Sequence, residues 1–344
     1  MTKTEQLHGV TSLVQAPLER LNRELLDDLA PGHPEMRPLI EHVGGFRGKQ
    51  LRPVLTFLAG MAATGATHSG GLGDDVVTVG KVVELLHTAT LVHDDVLDSA
   101  SVRRRIETIN HLNGIETAVL LGDYIYAKAF HMAVQLPDPT AARWLAETVR
   151  VICQGEITQV IHRFDYQWSE ARYFTVIAEK TASLYAAACR LGGFYSSLAA
   201  GQSADSSASG AVHEGRLRAL EEYGLELGIA FQIVDDCLDL DGDEAVVGKS
   251  LGTDLSKGKI TLPMLYLLRD EGQAQKFKDL LGTSEAEGLR RLRSEFPLEH
   301  AIAYSMEEAQ RRIAKAQASL SQLPPGPARD ALHQLAGFVL SRRV

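Results

Sequence analysis

The sequence predicts an all-α protein. Apolar residues recur at three-and-four spacing through long segments, and no alternating strand pairs joined by Asn-Gly or Asp-Gly turns occur. The first segment, 76–98, carries Val79, Val82, Val83, Leu86, Thr90 and His93 on a helical period. Segments 117–134, 142–161, 169–200 and 217–239 follow the same pattern, and Ser169 before Glu170 is a good N-cap. Loops are expected at 65–75, 201–215 and 323–327, where Gly, Ser, Asp and Pro cluster. The Ser/Ala/Gly loop resembles a linker. The helices flanking it, however, carry charge inside apolar segments, as walls of one shared cavity would. One large helical domain over 1–344 is therefore expected.

Composition narrows the function. The chain has 344 residues, 45% of them hydrophobic, and a net charge of -9. That balance argues against nucleic acid, which requires clustered basic surface. The three cysteines, Cys153, Cys189 and Cys237, are widely spaced and read as reduced, buried thiols. No secretory core and no unbroken membrane-length apolar run is present, so a cytoplasmic protein without an integral membrane segment is expected.

One short motif occurs twice. Asp-Asp-x-x-Asp stands at Asp94, Asp95 and Asp98, and again 141 residues later at Asp235, Asp236 and Asp239. On a helix, residues four apart share a face, so the outer aspartates of each copy point the same way. Each copy follows an apolar stretch, HTATLVH or GIAFQIV. Carboxylates drawn into apolar surroundings need a counter-charge. Paired carboxylates suit Mg²⁺, which spends its other positions on water and substrate phosphates. The bland reading is a solvated acidic face, and a lone copy would not exclude it. A calcium loop in DLDGDE fails: aligning Gly242 to the sixth position puts Cys237 at the first and Gly248 at the twelfth.

Basic residues cluster beside both copies. GFRGKQLRP supplies Arg47, Lys49 and Arg52, with Pro53 suited to a first helical turn. Arg103, Arg104 and Arg105 follow the first motif; Lys249, Lys257 and Lys259 follow the second; Lys180-Thr181 lies in a helix. Arg grips phosphate by a fork and Lys as a point charge. An acidic protein that gathers cations here reads as a binder of organic diphosphates bridged by Mg²⁺.

With these motifs in place, the chain resembles the trans-isoprenyl diphosphate synthases, most of all those making medium and long chains. The resemblance runs from about residue 40 to the C-terminus, through GKQLRP, DDVLD, LLGDYIYAKAF, GEITQ, EKTASL, FQIVDDCLDLDGD and GKSLGTDLSKGKITLP in order. It implies a helical bundle of isoprenoid-synthase type around a deep apolar cavity, a homodimer, and three Mg²⁺ ions. It implies that Asp94, Asp98 and Asp235 hold metal, with Asp95, Asp236 and Asp239 in the same motifs. Around the allylic diphosphate it places Arg103, Lys180, Thr181, Gln232, Lys249 and Lys259; around isopentenyl diphosphate, Gly48, Lys49, Arg52, His87 and Arg104. The chain departs from the family where Gly-x-Pro-Thr is usual, having Arg105-Ile106-Glu107-Thr108, so a different loop path is expected there.

The implied reaction is ionisation of the allylic diphosphate, attack by the alkene of isopentenyl diphosphate, and proton loss to the released diphosphate. Product length depends on residues one or two turns before the first motif. Ala89 and Thr90 stand there, both small, where short-chain members of the family often carry an aromatic floor. Ordinary helix packing explains two small residues equally well. A C30 to C50 product is expected, geranylgeranyl diphosphate being the nearest alternative, with Leu85, Leu86, Phe130, Met132 and Val151 as candidates for a lower floor. A product of that length implies transient contact with a membrane surface. A non-catalytic partner subunit and a class I terpene cyclase are the rival classes. Intact motifs argue against the first, and GKQLRP with the arginine pair against the second.

Overall fold

The computed structural model describes residues 9–30, 32–46, 48–202, 208–242, 251–280 and 284–341. In chain order its helices are α1 (Gln15–Asp28), α2 (Arg37–Gly44), α3 (Leu51–Thr64) and α4 (Asp74–Leu97). A small hairpin follows, β1 (Val102–Arg103) and β2 (Ile106–Glu107), then α5 (Ile109–Asn113), α6 (Ile115–Val134), α7 (Thr140–Ile161) and α8 (Glu170–Ile177). A π-helical turn over Ala178–Ala182 leads to α9 (Ser183–Ala199) and α10 (Ala208–Asp241). The remainder comprises α11 (Thr253–Ser256), α12 (Leu262–Leu268), α13 (Glu271–Lys278), α14 (Glu285–Glu295), α15 (Leu298–Ser319) and α16 (Pro327–Leu340). The all-α class read from apolar periodicity is the class observed.

The chain divides into two compact units. The first comprises residues 1–147, 184–224 and 319–335; the second comprises 148–183, 225–318 and 336–344. The first unit is organised on α3, in which every residue from Pro53 to Ala63 is buried. A helix apolar on all sides belongs at the centre of a core. Helix α4 lies against it, and its buried Lys81 donates to Glu24 at 2.9 Å and Asp28 at 2.7 Å, clamping α1. Among the described residues, α4 alone is long and apolar enough to cross a membrane; 67% of that window is buried inside protein, as for a core helix.

Two local features differ from expectation, and a third shows the path of the loop expected to depart from the family. The loop drawn at 201–215 ends early, because α10 begins at Ala208. His213, Leu217 and Leu220 are buried at spacings of four and three, so the apolar stripe simply continues backwards. Cys153 is exposed, not buried, whereas Cys189 and Cys237 are buried as read. The Arg104-Arg105 turn has φ of 51° and 66°, both left-handed, with Arg103 paired to Ile106 across it. Two positive φ values at the centre of a two-residue loop match the turn that suits strand twist. This hairpin is the path taken where the family's usual Gly-x-Pro is replaced.

In the second unit the Ser169 hydroxyl caps α8 as expected, accepting from the Arg172 amide at 3.2 Å. Arg312 on α15 bonds Glu226 and Glu308 and stacks over Phe174 with its guanidinium carbon 4.7 Å from the ring centre. Buried Val176, Ile233, Val234, Leu265, Phe277, Leu292 and Ile302 form the core.

Candidate active site

The first aspartate motif sits at the C-terminal end of α4, with the Asp98 amide closing the last turn onto the Asp94 carbonyl at 2.8 Å. Helix C-termini are electronegative and favour cations, so three acids there oppose the helix. They are stabilised only by a positive group. Asp95, buried to 1% exposure, receives one from Arg103 Nε at 2.8 Å. Burial raises the proton affinity of its carboxyl, Asp94 and Asp98 add to that, and Arg103 opposes it. Oδ2 of Asp95 is buried with no hydrogen-bond partner. Asp94 and Asp98 remain half-exposed.

Two turns earlier on α4, His87 faces the charges of Arg52, Arg104 and Arg103, and burial together with those cations holds it neutral. The Arg104 guanidinium donates to the Phe46 carbonyl and lies on Gly48, where an added Cβ would come within 2.4 Å of it. Glycine is needed at position 48 for that approach. Arg52 stacks over Tyr185 at 4.4 Å, and its Nε is buried with no partner. Lys49 is exposed and precedes the N-terminus of α3, a position that favours anions. Pro53 stands in that first turn as expected. Gly48, Lys49, Arg52, His87, Arg103 and Arg104 are thus gathered in the first unit. Ala89 is wholly buried, whereas Thr90 is half-exposed, its hydroxyl bonded to the His87 carbonyl at 2.7 Å.

The second motif occupies the last turns of α10, again at the electronegative end. Its members differ. Asp235 is half-exposed. Asp236 is buried, accepting from Tyr173 Oη and Gln232 Nε2, each at 2.7 Å. Burial pushes its carboxyl up to about 8, helped by Asp254 and Asp235 and opposed by the two donors. Asp239 has no exposed surface and accepts from Thr253 Oγ1 at 2.9 Å and the Asp254 amide at 3.1 Å. Lys259, also buried, lies 4.0 Å from Asp254. Lys249 and Arg47 lie outside the described residues.

Lys180 and Thr181 fall within the π turn, an irregularity common at functional sites. Lys180 Nζ meets Glu156 at 2.5 Å and Gln159 at 3.0 Å, and Thr181 donates to Gln232 at 2.8 Å. A Cβ on Gly155 would come within 2.9 Å of the Lys180 amide nitrogen, so GEITQ is the surface of α7 that seats the turn. Sequence reasoning gave Gly155, Glu156, Gln159 and Tyr173 no role. The i, i+3 spacing of Glu156 and Gln159 put them on one face, but nothing in it pointed to Lys180.

The donors in each unit fit hard divalent cations: in the first, half-exposed carboxylates at Asp94 and Asp98 with an unpartnered oxygen on Asp95; in the second, half-exposed Asp235. Among the described residues no three His, Cys, Asp or Glu side chains are already gathered as a metal cage. An open set of this kind suits an ion completed by water and phosphate.

The polyprenyl synthetase family model matches residues 33–295. The chain is 33% identical to an octaprenyl diphosphate synthase of Haemophilus influenzae over 97% of its own length and 96% of the relative's. It is also 33% identical to a nonaprenyl diphosphate synthase of Mycobacterium tuberculosis, covering 96% of this chain and 93% of that one. A crystal structure of a polyprenyl synthase from Caulobacter crescentus, complexed with calcium and isoprenyl diphosphate, superposes with a TM-score of 0.86 at 33% identity over 98% of both chains. The doubled aspartate motif, its basic surroundings and these likenesses agree: the chain belongs to the polyprenyl synthetase family and is a trans-prenyltransferase.

Proposed function

We propose that the protein condenses isopentenyl diphosphate with an allylic diphosphate such as farnesyl diphosphate, in a Mg²⁺-dependent reaction, to an all-trans polyprenyl diphosphate of C30 to C50. The observation that carries this reading is the end of α4: Asp94 and Asp98 half-exposed beside Arg103, with Arg52, Arg104 and a neutral His87 behind them. Asp94, Asp98 and Asp235 hold the metal ions, three in number. Asp95, Asp236 and Asp239, buried and bonded within the protein, orient those ligands. Bound Mg²⁺ supplies electrostatic stabilisation of the departing diphosphate. Lys180, Lys259, Lys249 and Arg103 share that charge by ion pairing. Thr181 and Gln232 stand around the allylic diphosphate, and the backbone carbonyls near Lys180-Thr181 with the Gln232 amide stabilise the allylic cation. Gly48, Lys49, Arg52, His87 and Arg104 hold isopentenyl diphosphate, His87 as a neutral hydrogen-bonding group.

The small residues Ala89 and Thr90 leave room for a long product, and relatives named for octaprenyl and nonaprenyl products support a chain beyond geranylgeranyl. The whole chain works as one catalytic domain. A homodimer is favoured by an apolar stripe left exposed along α5 and α6, formed by Leu112, Ile115, Val119 and Leu120. Function is in the cytoplasm, with transient contact at a membrane surface for product release.

The test is an incubation of purified protein with Mg²⁺, isopentenyl diphosphate and farnesyl diphosphate, with products sized by mass spectrometry after dephosphorylation. A ladder ending at C30 or beyond, abolished by Asp94→Ala, is expected. A stop at C20 overturns the length assignment, and absence of elongation with any allylic primer favours a non-catalytic subunit.

A further inference from the structure

The second unit contains a hydrogen-bonded chain of four side chains drawn from three elements. Tyr173 Oη, on α8, donates to Asp236 Oδ2 at 2.7 Å; Gln232 Nε2, one turn earlier on α10, donates to Asp236 Oδ1 at 2.7 Å; Thr181 Oγ1, in the π turn, donates to Gln232 Oε1 at 2.8 Å. Each polar group has one role. With its amide nitrogen on Asp236, Gln232 turns its oxygen to Thr181, and a flipped amide would set that oxygen against the Asp236 carboxyl. Tyr173 is buried to 2% exposure and Asp236 to 4%, and among the described residues the donors to Asp236 are Tyr173 and Gln232, both neutral. A structural carboxylate at this depth would normally be given a cation, as Arg103 is given to Asp95 in the first motif. Here two neutral donors occupy both oxygens instead. Adjacent Asp235, half-exposed, is left as the member of the motif turned toward solvent.

We propose that Tyr173 is a positioning residue for the second aspartate motif: its hydroxyl fixes Asp236, which sets the direction of the neighbouring Asp235 and, through Gln232, the Thr181 end of the π turn. Asp236 is then a strut and not a metal ligand, and metal affinity at Asp235 depends on a tyrosine hydroxyl that touches neither metal nor substrate. This rests on the reading of Asp235 as a metal ligand given under Proposed function.

The experiment uses the full chain carrying Tyr173→Phe, and separately Thr181→Val. Two quantities are measured: the Mg²⁺ concentration giving half-maximal elongation, and calorimetric binding of Mg²⁺ with inorganic pyrophosphate, which needs no turnover. Groups that orient metal ligands typically change metal affinity by about tenfold or more, and Tyr173→Phe is expected to weaken both quantities by about that factor. Thr181→Val is expected to follow in the same direction, and the Michaelis constant for isopentenyl diphosphate to move less than twofold in Tyr173→Phe. If Tyr173→Phe lowers only the melting temperature and leaves both metal readouts within twofold of wild type, the proposal is overturned and the bond is merely structural. Should Tyr173→Phe not fold, Thr181→Val reads the same chain from its other end, and an unchanged metal dependence there overturns the proposal equally. A wild-type chain that binds no Mg²⁺-pyrophosphate overturns the underlying functional reading, and this proposal with it.

Discussion

Lys180 Nζ stands 2.5 Å from the Glu156 carboxylate and 3.0 Å from the Gln159 amide oxygen, so one face of α7 holds the ammonium of the π turn. The side chains of Lys180 and Glu156 keep 20% and 16% of their exposure, a pair largely removed from water. Removing one member of a buried pair leaves the other uncompensated, and with this residual solvation Glu156→Ala is expected to lower stability by about 2 kcal/mol. Lys180→Ala is expected to lower kcat/KM for the allylic diphosphate by about a hundredfold as well, because the ammonium is lost from the developing diphosphate charge. Urea unfolding and steady-state kinetics check the two. A lysine variant with normal kcat/KM would assign Lys180 a structural role only.

Asp95 and Arg103 form the corresponding buried pair in the first unit, at 2.8 Å. Arg103→Lys keeps the charge but loses the guanidinium geometry, and the two cations are not interchangeable at such sites. It is expected to reduce activity by more than tenfold and to lower the melting temperature by several degrees, about 1–2 kcal/mol. Full activity in Arg103→Lys would show that only charge matters.

His87 gives stability a pH dependence. Its folded form is held neutral well below the usual histidine range by burial and by Arg52, Arg104 and Arg103. The unfolded chain therefore binds a proton below about pH 6.5 that the folded chain refuses, and stability falls as pH drops through that value. His87→Gln is expected to flatten the fall in melting temperature between about pH 7 and pH 5.5. An unchanged slope would remove His87 as its source.

The two small residues before the first motif are expected to behave differently. Ala89 has no exposed surface, so Ala89→Phe overpacks the core and costs about 1–3 kcal/mol. Thr90 is half-exposed on the face that continues to Asp94, so Thr90→Phe is expected to shorten the product while leaving the melting temperature nearly unchanged. Product sizing alongside thermal melts separates the two; identical product ladders in Thr90→Phe and wild type would place the length determinant elsewhere.

Residues with a chemical necessity were legible in the sequence. Acids at helix C-termini, arginines next to them and a glycine before a helix all state a local demand, and α4 and α10 answer it. What was not legible depends on contacts distant in sequence. Tyr173 lies 63 residues from Asp236, and its hydroxyl looks like any core tyrosine's until α8 is placed. Glu156 carries no sign that its partner is Lys180. The hairpin at Arg104-Arg105 was hidden for a different reason: arginine is unusual at left-handed positions, which ordinarily fall to Asn or Gly. The two-residue strands are also too short for alternation to register. The extra length of α10 was missed because Ser, Ala and Gly read as loop, while buried His213 and Leu217 continue the helix through them.

A π turn is an α-helix that has accepted one additional residue. Deleting a single residue between Ala178 and Ala182 should therefore be tolerated as helix and even favour it, since regular i→i+4 bonding would return. The rearrangement would fall on the side chains of the turn itself. Lys180 and Thr181 could then no longer both keep their partners on α7 and α10. The widened turn is thus held against regular helical bonding by the partners of Lys180 on α7 and of Thr181 on α10.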